Sequence, residues 1–415
     1  MMLQRHKSPQ TKATTVIAIK VLVNDGMNPE GIEIFQKAGI SVDDRRRKPD
    51  ELGRDIGGFD ALTVRSSTKV TKQVIEAGAS GNLKIIGRQG VGFDNIDVEA
   101  ASQKGIIVKT APYGNTNAVA ELVIGLMLNV SRRISKADHT LKNAKWSRRN
   151  MEGYELSGKT VGLLGCGRIA QRLSRLLSGF GAQVIGYDIA LDKVREAFPD
   201  SRIKYVSKEE VLRADYISLH TGGNATVVGE KEIALMKPNA IIINTSRGQN
   251  IDESALYQAL KIGKIAGAGL DVYAEEPESE DTDFVNKLRG LDNVVLTPHL
   301  GASTKEAQMK TSIEIARIVV DYLLKGDFSN SVNVGETVEM EEKQVYPLFI
   351  HHLDVPGAFA QIDGKLGEYK INIRENRSRE IGTGHVLTVY LVHQLPSKEV
   401  LAELKKLDIV LRVAA

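Results

Sequence analysis

From about residue 20 onward, short β-branched apolar runs alternate with longer stretches in which apolar residues recur every three or four positions. The runs at 20–24, 61–65, 83–87 and 106–109 predict strands. So do those at 160–164, 183–187, 215–220, 240–244, 268–272 and 294–297. Several lack any polar alternation, the pattern of parallel strands covered on both faces. Strand and helix patterns alternating over this length predict α/β architecture with doubly wound parallel sheets. Two helical patterns stand apart. One runs over 117–144 with Val119, Leu122, Val123, Leu126 and Leu128 on its apolar side. The other runs over 305–325 with Met309, Ile313, Ile315, Ile318 and Val319. Residues 344–415 read strand, helix, strand, strand, helix, strand, a βαββαβ ferredoxin-like unit. An acidic, apolar-poor linker at 335–343 precedes it, so this unit need not share a core with the rest. Residues 1–15 are polar and basic without a period, and predict a loose tail.

Composition narrows the picture. The chain has 415 residues, enough for two to three domains. It is 42% hydrophobic and 26% charged, which excludes wholesale disorder. With 55 Lys+Arg against 52 Asp+Glu, the net charge of +3 excludes a nucleic-acid partner held by bulk charge. No apolar run approaches the roughly 18 residues of a membrane span, so no membrane partner is expected. The single cysteine, Cys166, excludes an internal disulfide or a cysteine-cluster zinc site; no metal is expected, and a cytoplasmic setting is.

The segment TVGLLGCGRIA at 160–170 carries chemistry. An apolar strand runs into Gly165-Cys166-Gly167-Arg168-Ile169-Ala170, and a helical pattern follows. This is G-x-G-x-x-A, a variant of the dinucleotide fingerprint. Gly165 permits a tight turn, Gly167 lets a pyrophosphate approach the backbone, and the helix amino-terminus offers free N–H groups to the phosphates. The next strand ends in Asp188, about 20 residues on, where a carboxylate accepts from a ribose 2′-hydroxyl. That favours NAD over NADP. Three later strand ends carry Arg247 in NTSRG, Glu276 in AGLDVYAEEP and His299 in LTPHLGAS. Carboxyl ends of parallel strands are where such sheets bind ligands. An arginine there holds a carboxylate by paired bonds, a histidine exchanges a hydroxyl proton, and a glutamate orients the imidazole. Together they suit hydride transfer at a 2-hydroxy acid.

In this order and spacing the four motifs resemble the D-isomer-specific 2-hydroxy acid dehydrogenase family, over roughly residues 20–330. The resemblance implies a substrate domain (16–112 with 300–334) and a Rossmann NAD domain (113–299), with NAD as cofactor. It implies catalytic roles for Arg247, Glu276 and His299. It implies cofactor contacts from Gly165, Gly167, Arg168, Ile169, Asp188, His220, Thr245, Ser246, Arg247, Asp271, His299, Gly301 and Ala302. Residues 65–71 (RSSTKVT) are similar to the substrate loop of members that oxidise 3-phospho-D-glycerate, implying a small phosphorylated 2-hydroxy acid held by Arg65, Ser66 and Asn115. Arg148, in a Trp-x-Arg segment, is similar to a cation that reaches a neighbouring subunit's site, and helix 117–144 to a dimerisation segment; a homodimer or homotetramer is implied. RRRK at 45–48 reads as a solvated loop. The βαββαβ unit resembles an ACT regulatory domain, implying an amino-acid effector, serine first, held by His352, Asp354 and Asn372. Two other readings stay open: a dehydrogenase of glyoxylate, hydroxypyruvate or a branched 2-keto acid, and a non-catalytic NAD(H)-sensing protein on the same fold.

Overall fold

The computed structural model describes residues 19–146, 148–149, 151–277, 282–334 and 345–415. The expected tail at 1–15 and linker at 335–343 lie outside them. Strands β1 (Lys20–Val23), β2 (Ser41–Asp43), β3 (Ala61–Val64), β4 (Ile85–Arg88) and β5 (Ile107–Thr110) form a parallel sheet in the order β2-β1-β3-β4-β5. The helix Lys305–Lys325 returns to pack on it, burying Ile315, Ile318, Val319 and Tyr322 against Val21, Ile85 and Ile107.

Seven further strands form the second parallel sheet, β12-β11-β10-β9-β6-β7-β8. They are β6 (Thr160–Leu164), β7 (Gln183–Tyr187), β8 (Lys204–Tyr205), β9 (Tyr216–Leu219), β10 (Ile241–Asn244), β11 (Gly267–Leu270) and β12 (Val294–Leu296). In β9, β10 and β11 every residue is buried, because helices cover both faces. Strands β2 and β8, which the hydrophobic pattern does not predict, are two or three residues long and only partly buried. Outer strands are covered on fewer sides and need no apolar run.

The expected helix over 117–144 is two helices. Thr116–Arg132 buries Val119, Val123, Leu126 and Met127; the chain then turns at Arg133, in the left-handed region at φ 55°, and Ile134–Lys142 buries nothing in this chain. The 3.6-residue period persists past Arg133, but no sheet lies under it. Ile134 and Leu141 are more than half exposed.

Strands β13 (Tyr346–Leu353), β14 (Ile373–Glu380), β15 (His385–Val392) and β16 (Val410–Ala414) form an antiparallel sheet in the order β14-β15-β13-β16. With helices Ala358–Glu368 and Lys398–Leu404 this is the expected βαββαβ unit. The linker leaves open whether it shares a core with the body, and it does share one. One face of the sheet packs Leu348, Ile350, Tyr390 and Val392 on its own helices. The other packs Phe349, Leu387, Val389 and Leu391 into the cluster that holds Ile315, Val319, Tyr322 and Phe328. Across the seam Lys84 Nζ donates to Ala415 O at 2.8 Å, and the Arg412 guanidinium donates to Leu83 O. The physical reason stands in the strand VLTVYLV itself: its apolar run lacks polar alternation, and such a strand in an antiparallel sheet must be covered on both sides.

Candidate active site

The nucleotide cradle forms where β6 meets the helix Arg168–Ser178. Gly165 has φ +89°, and a Cβ there would stand 2.6 Å from His220 O, so the turn demands glycine. At Gly167, the N-cap, a Cβ would meet nothing within 4 Å; the chain's own packing does not explain this glycine, and open space lies over the helix amino-terminus. Asp188, at the end of β7, accepts Cys166 N–H at 2.8 Å and Ala190 N–H at 2.8 Å, which fixes its carboxylate beside the glycine turn. His220 follows β9 with Nε2 3.0 Å from Ser218 Oγ; burial pulls its pKa down to about 4, so the ring is neutral. The Thr245 hydroxyl is buried without a partner, an orphan that a bound group would satisfy. A dinucleotide fits these features, and Arg168 and Ile169, which open the helix, would hold its phosphates. Arg168 Nε donates to Pro112 O at 3.2 Å.

Three loops bring the reacting groups together. Asn244, ending β10, accepts from Ser246 N–H at 3.0 Å and donates to Arg247 O at 2.8 Å, which shapes the TSRG turn. A Cβ on Gly248 would fall 1.8 Å from Tyr273 C; this close approach lays the Arg247 turn on the loop that carries Glu276. Asp271, fully buried, accepts Thr297 Oγ1–H at 2.6 Å, Leu300 N–H at 2.7 Å and Gly301 N–H at 2.9 Å, and so clamps the loop bearing His299. Burial raises the Asp271 pKa. His299 itself sits at φ 53°, unusual for a residue with a Cβ, a strain this clamp sustains. Its Nδ1 lies 2.9 Å from Glu276 Oε2. That bond raises the imidazole pKa above its usual value, against the opposing effect of burial. Burial alone would raise Glu276; the His299 bond and charge, the Tyr273 N–H and Arg247 outweigh it and lower the pKa. With Nδ1 engaged, Nε2 is left for a ligand.

The sequence reasoning missed Asp94 and Arg88. Arg247 Nε stands 2.8 Å from Asp94 Oδ2, and a Cβ on Gly92 would come 2.2 Å from Arg247 Nη2. Arg88 is pulled to about 10 by burial first, then by the charges of Arg247 and Arg65. The signal was the glycine pair in RQGVGFD at 88–94, which follows β4 directly. Asp25 holds the Arg65 loop by accepting Arg65 N–H at 2.7 Å and Thr68 N–H at 3.1 Å, with Ser66 at the exposed turn. Asn115 precedes the helix Thr116–Arg132, and its Oδ1 is buried without a partner. Ala302 O accepts from Gln308 Nε2 at 2.6 Å. Arg148 is exposed on the loop after Ile134–Lys142 and is not brought to the cluster.

The expected effector set does not assemble in one chain. His352 is 1% exposed; its Nδ1 donates to Leu353 O and its Nε2 meets the Thr388 hydroxyl, both at 2.9 Å. Asn372 lies just before β14, beside the Tyr346 end of β13, whereas Asp354 follows the Leu353 end. An eight-residue strand separates them, roughly 25 Å. Among the described residues no group of three or more His, Cys, Asp or Glu gathers to hold a metal, and no helix is long and apolar enough to cross a membrane.

Residues 124–301 match the model of the D-isomer specific 2-hydroxyacid dehydrogenase NAD binding domain, and residues 348–408 match the ACT domain. The chain is 43% identical over 301 residues to the hydroxypyruvate reductase of Thermotoga maritima, covering 71% of this chain and 95% of that protein. Among solved structures it resembles D-2-hydroxyisocaproate dehydrogenase with a TM-score of 0.65 and 31% identity, over 76% of this chain and 99% of that one. The chain therefore belongs to the D-isomer-specific 2-hydroxyacid dehydrogenase family. Within that family it is 44% identical over 318 residues to the D-3-phosphoglycerate dehydrogenase of Methanocaldococcus jannaschii, covering 76% of this chain and 59% of that protein. It thus spans about three fifths of the length of that relative.

Proposed function

We propose that the protein catalyses NAD-dependent oxidation of 3-phospho-D-glycerate at C2, the first step of serine biosynthesis. The observation that carries this is the charge around the His299–Glu276 pair: Arg247 acts on both residues, and Arg88 in turn feels the charges of Arg247 and Arg65. A substrate with a carboxylate and a phosphate calls for several cations, and guanidinium groups bind both anions by paired bonds. Residues 16–112 with 300–334 act as the substrate domain and 113–299 as the cofactor domain. Bound NAD supplies the hydride acceptor. Arg247 holds the substrate carboxylate and the C2 oxygen. His299 Nε2 takes the C2 hydroxyl proton, and Glu276 holds the ring and stabilises the imidazolium. Arg65 and Arg88 take the phosphate. Asp188 accepts from the ribose 2′-hydroxyl and repels a 2′-phosphate.

A second reading, reduction of hydroxypyruvate, is favoured by the likeness to the Thermotoga maritima reductase. A panel of 3-phosphohydroxypyruvate, hydroxypyruvate, glyoxylate and a branched 2-keto acid, followed by loss of NADH absorbance, separates them. The highest kcat/KM is expected for the phosphorylated acid. Preference for hydroxypyruvate would select the second reading, and NADH binding without turnover would select a sensing protein.

The half-exposed or exposed Ile134, Leu141, Trp146 and Tyr154 support a homo-oligomer through the helix pair, which light scattering measures. An amino-acid effector, serine first, is proposed at Asp354 and the helix opening at Gly357; calorimetric titration tests it. A cytoplasmic setting accords with the free, buried Cys166.

A further inference from the structure

The catalytic body and the C-terminal sheet meet around a small cavity that the proposed reaction does not use. Lys84 and Tyr322 line it from the body, and Phe349, His351, Leu387 and Arg412 from the sheet. Its volume is about 10 Å³, room for one water-sized occupant.

Two buried polar atoms around it have no partner. The Tyr322 hydroxyl is wholly buried and has no partner; burial holds the phenol far above its usual pKa, so it keeps its proton. His351 is 2% exposed, and its Nε2 is buried without a partner. Burial first, then the neighbouring cations and rings, hold that imidazole at about 3, so it is neutral. The Arg412 guanidinium donates to the backbone oxygens of Leu83 and Gly81, and burial brings it to about 10, still charged at neutral pH.

Counter-charge is short. Asp60 lies 3.0 Å from Lys84 Nζ and is spent on it. Among the described residues no carboxylate pairs with Arg412. The other titratable groups facing His351 are His385, whose ring lies 5.1 Å away, His352 and Lys104, none of them acidic. A half-buried guanidinium without a paired carboxylate leaves an unmatched positive charge at the seam. A water would fill the space but leave that charge unmatched.

We propose that this cavity binds one small inorganic anion of the halide class, which ties the C-terminal sheet to the catalytic body. Arg412 supplies the charge, Tyr322 Oη–H a neutral donor, and His351 a second in the tautomer that carries its proton on Nε2.

The test uses the full chain in sodium chloride or sodium gluconate at equal ionic strength; gluconate is far too large for the cavity. Chloride is expected to raise the melting midpoint by about 1–3 °C at tenfold excess over its Kd. The rise is expected to vanish in Arg412→Met and to shrink in Tyr322→Phe. The Tyr322→Phe change removes a hydroxyl that has no partner in the chain, so it leaves the fold intact if Arg412→Met fails to fold. A merely structural hydroxyl would change both salts alike. In bromide-soaked crystals an anomalous peak is expected between Arg412, His351 and Tyr322. Equal melting in the two salts, a chloride effect kept in full by both variants, or no bromide peak would overturn the proposal.

Discussion

Replacing Glu276 by Gln tests the core of the proposed chemistry. The amide keeps the shape and can still accept His299 Nδ1–H, so the ring stays in place while the charge is lost. The bond is 2.9 Å long and joins two ionisable groups. Such charged bonds contribute about 1.5–3 kcal/mol. The side chains are 53% and 37% exposed, so solvent screening brings the value to about 1–1.5 kcal/mol, or roughly a tenfold loss of kcat/KM at neutral pH in the reductive direction. The sign follows from Glu276 raising the imidazole pKa. Reduction needs the imidazolium, so its rate falls as pH rises through the His299 pKa. Removing the carboxylate charge moves that fall to lower pH. Oxidation needs the neutral ring, so its rising limb moves to lower pH as well. The assay is a pH profile of kcat/KM in both directions with NADH and NAD. Limbs that stay where they are in the variant would show that Glu276 does not govern the proton carrier.

Three other outcomes are expected. Asp188→Ala should raise the KM for NADH about 10- to 100-fold through loss of a charged bond and should erase discrimination against NADPH, read by steady-state kinetics with both cofactors; an unchanged preference would move the specificity elsewhere. Arg47→Met removes the cation that, by its bond, holds the Asp43 carboxyl down at about 2. Its cost is about 1–2 kcal/mol after allowing for the 39% exposure of Asp43, and the gap to the parent in pH-dependent unfolding should be full above the usual carboxylate pKa and close as pH falls toward that lowered value. Phe349→Ala opens a cavity in the shared core at a cost of about 3 kcal/mol and should speed amide exchange in the helix Lys305–Lys325, since Phe349 is 4% exposed and its ring lies 5.1 Å from that of Tyr322; unaltered exchange would show that the sheet is not coupled to the body.

Local pattern carried much of this protein. The strands β6, β9 and β10 and the helix Lys305–Lys325 are legible because burial on both faces, or along one stripe, leaves a period in the residues themselves. The turn at Gly165 and the acid at Asp188 are legible because one βαβ unit holds both. Arg247, Glu276 and His299 are legible as polar residues at strand ends. The break at Arg133 was not, since helical periodicity continues across it and only the edge of the sheet decides where burial stops.

What only the tertiary structure decided are the distances between segments remote in the chain. Gly248 against Tyr273, Asp271 on Leu300 and Gly301, and Arg247 on Asp94 are contacts that no local period encodes. The same holds for the C-terminal sheet. Its apolar faces could be read strand by strand, yet His352, Asp354 and Asn372, near in sequence logic, lie at two ends of one strand. Sequence determines which surfaces must leave water, because that depends on each residue's own transfer free energy. Which surface each one meets depends on the packing of whole elements, and on that meeting rest both the reacting cluster and the seam at Arg412.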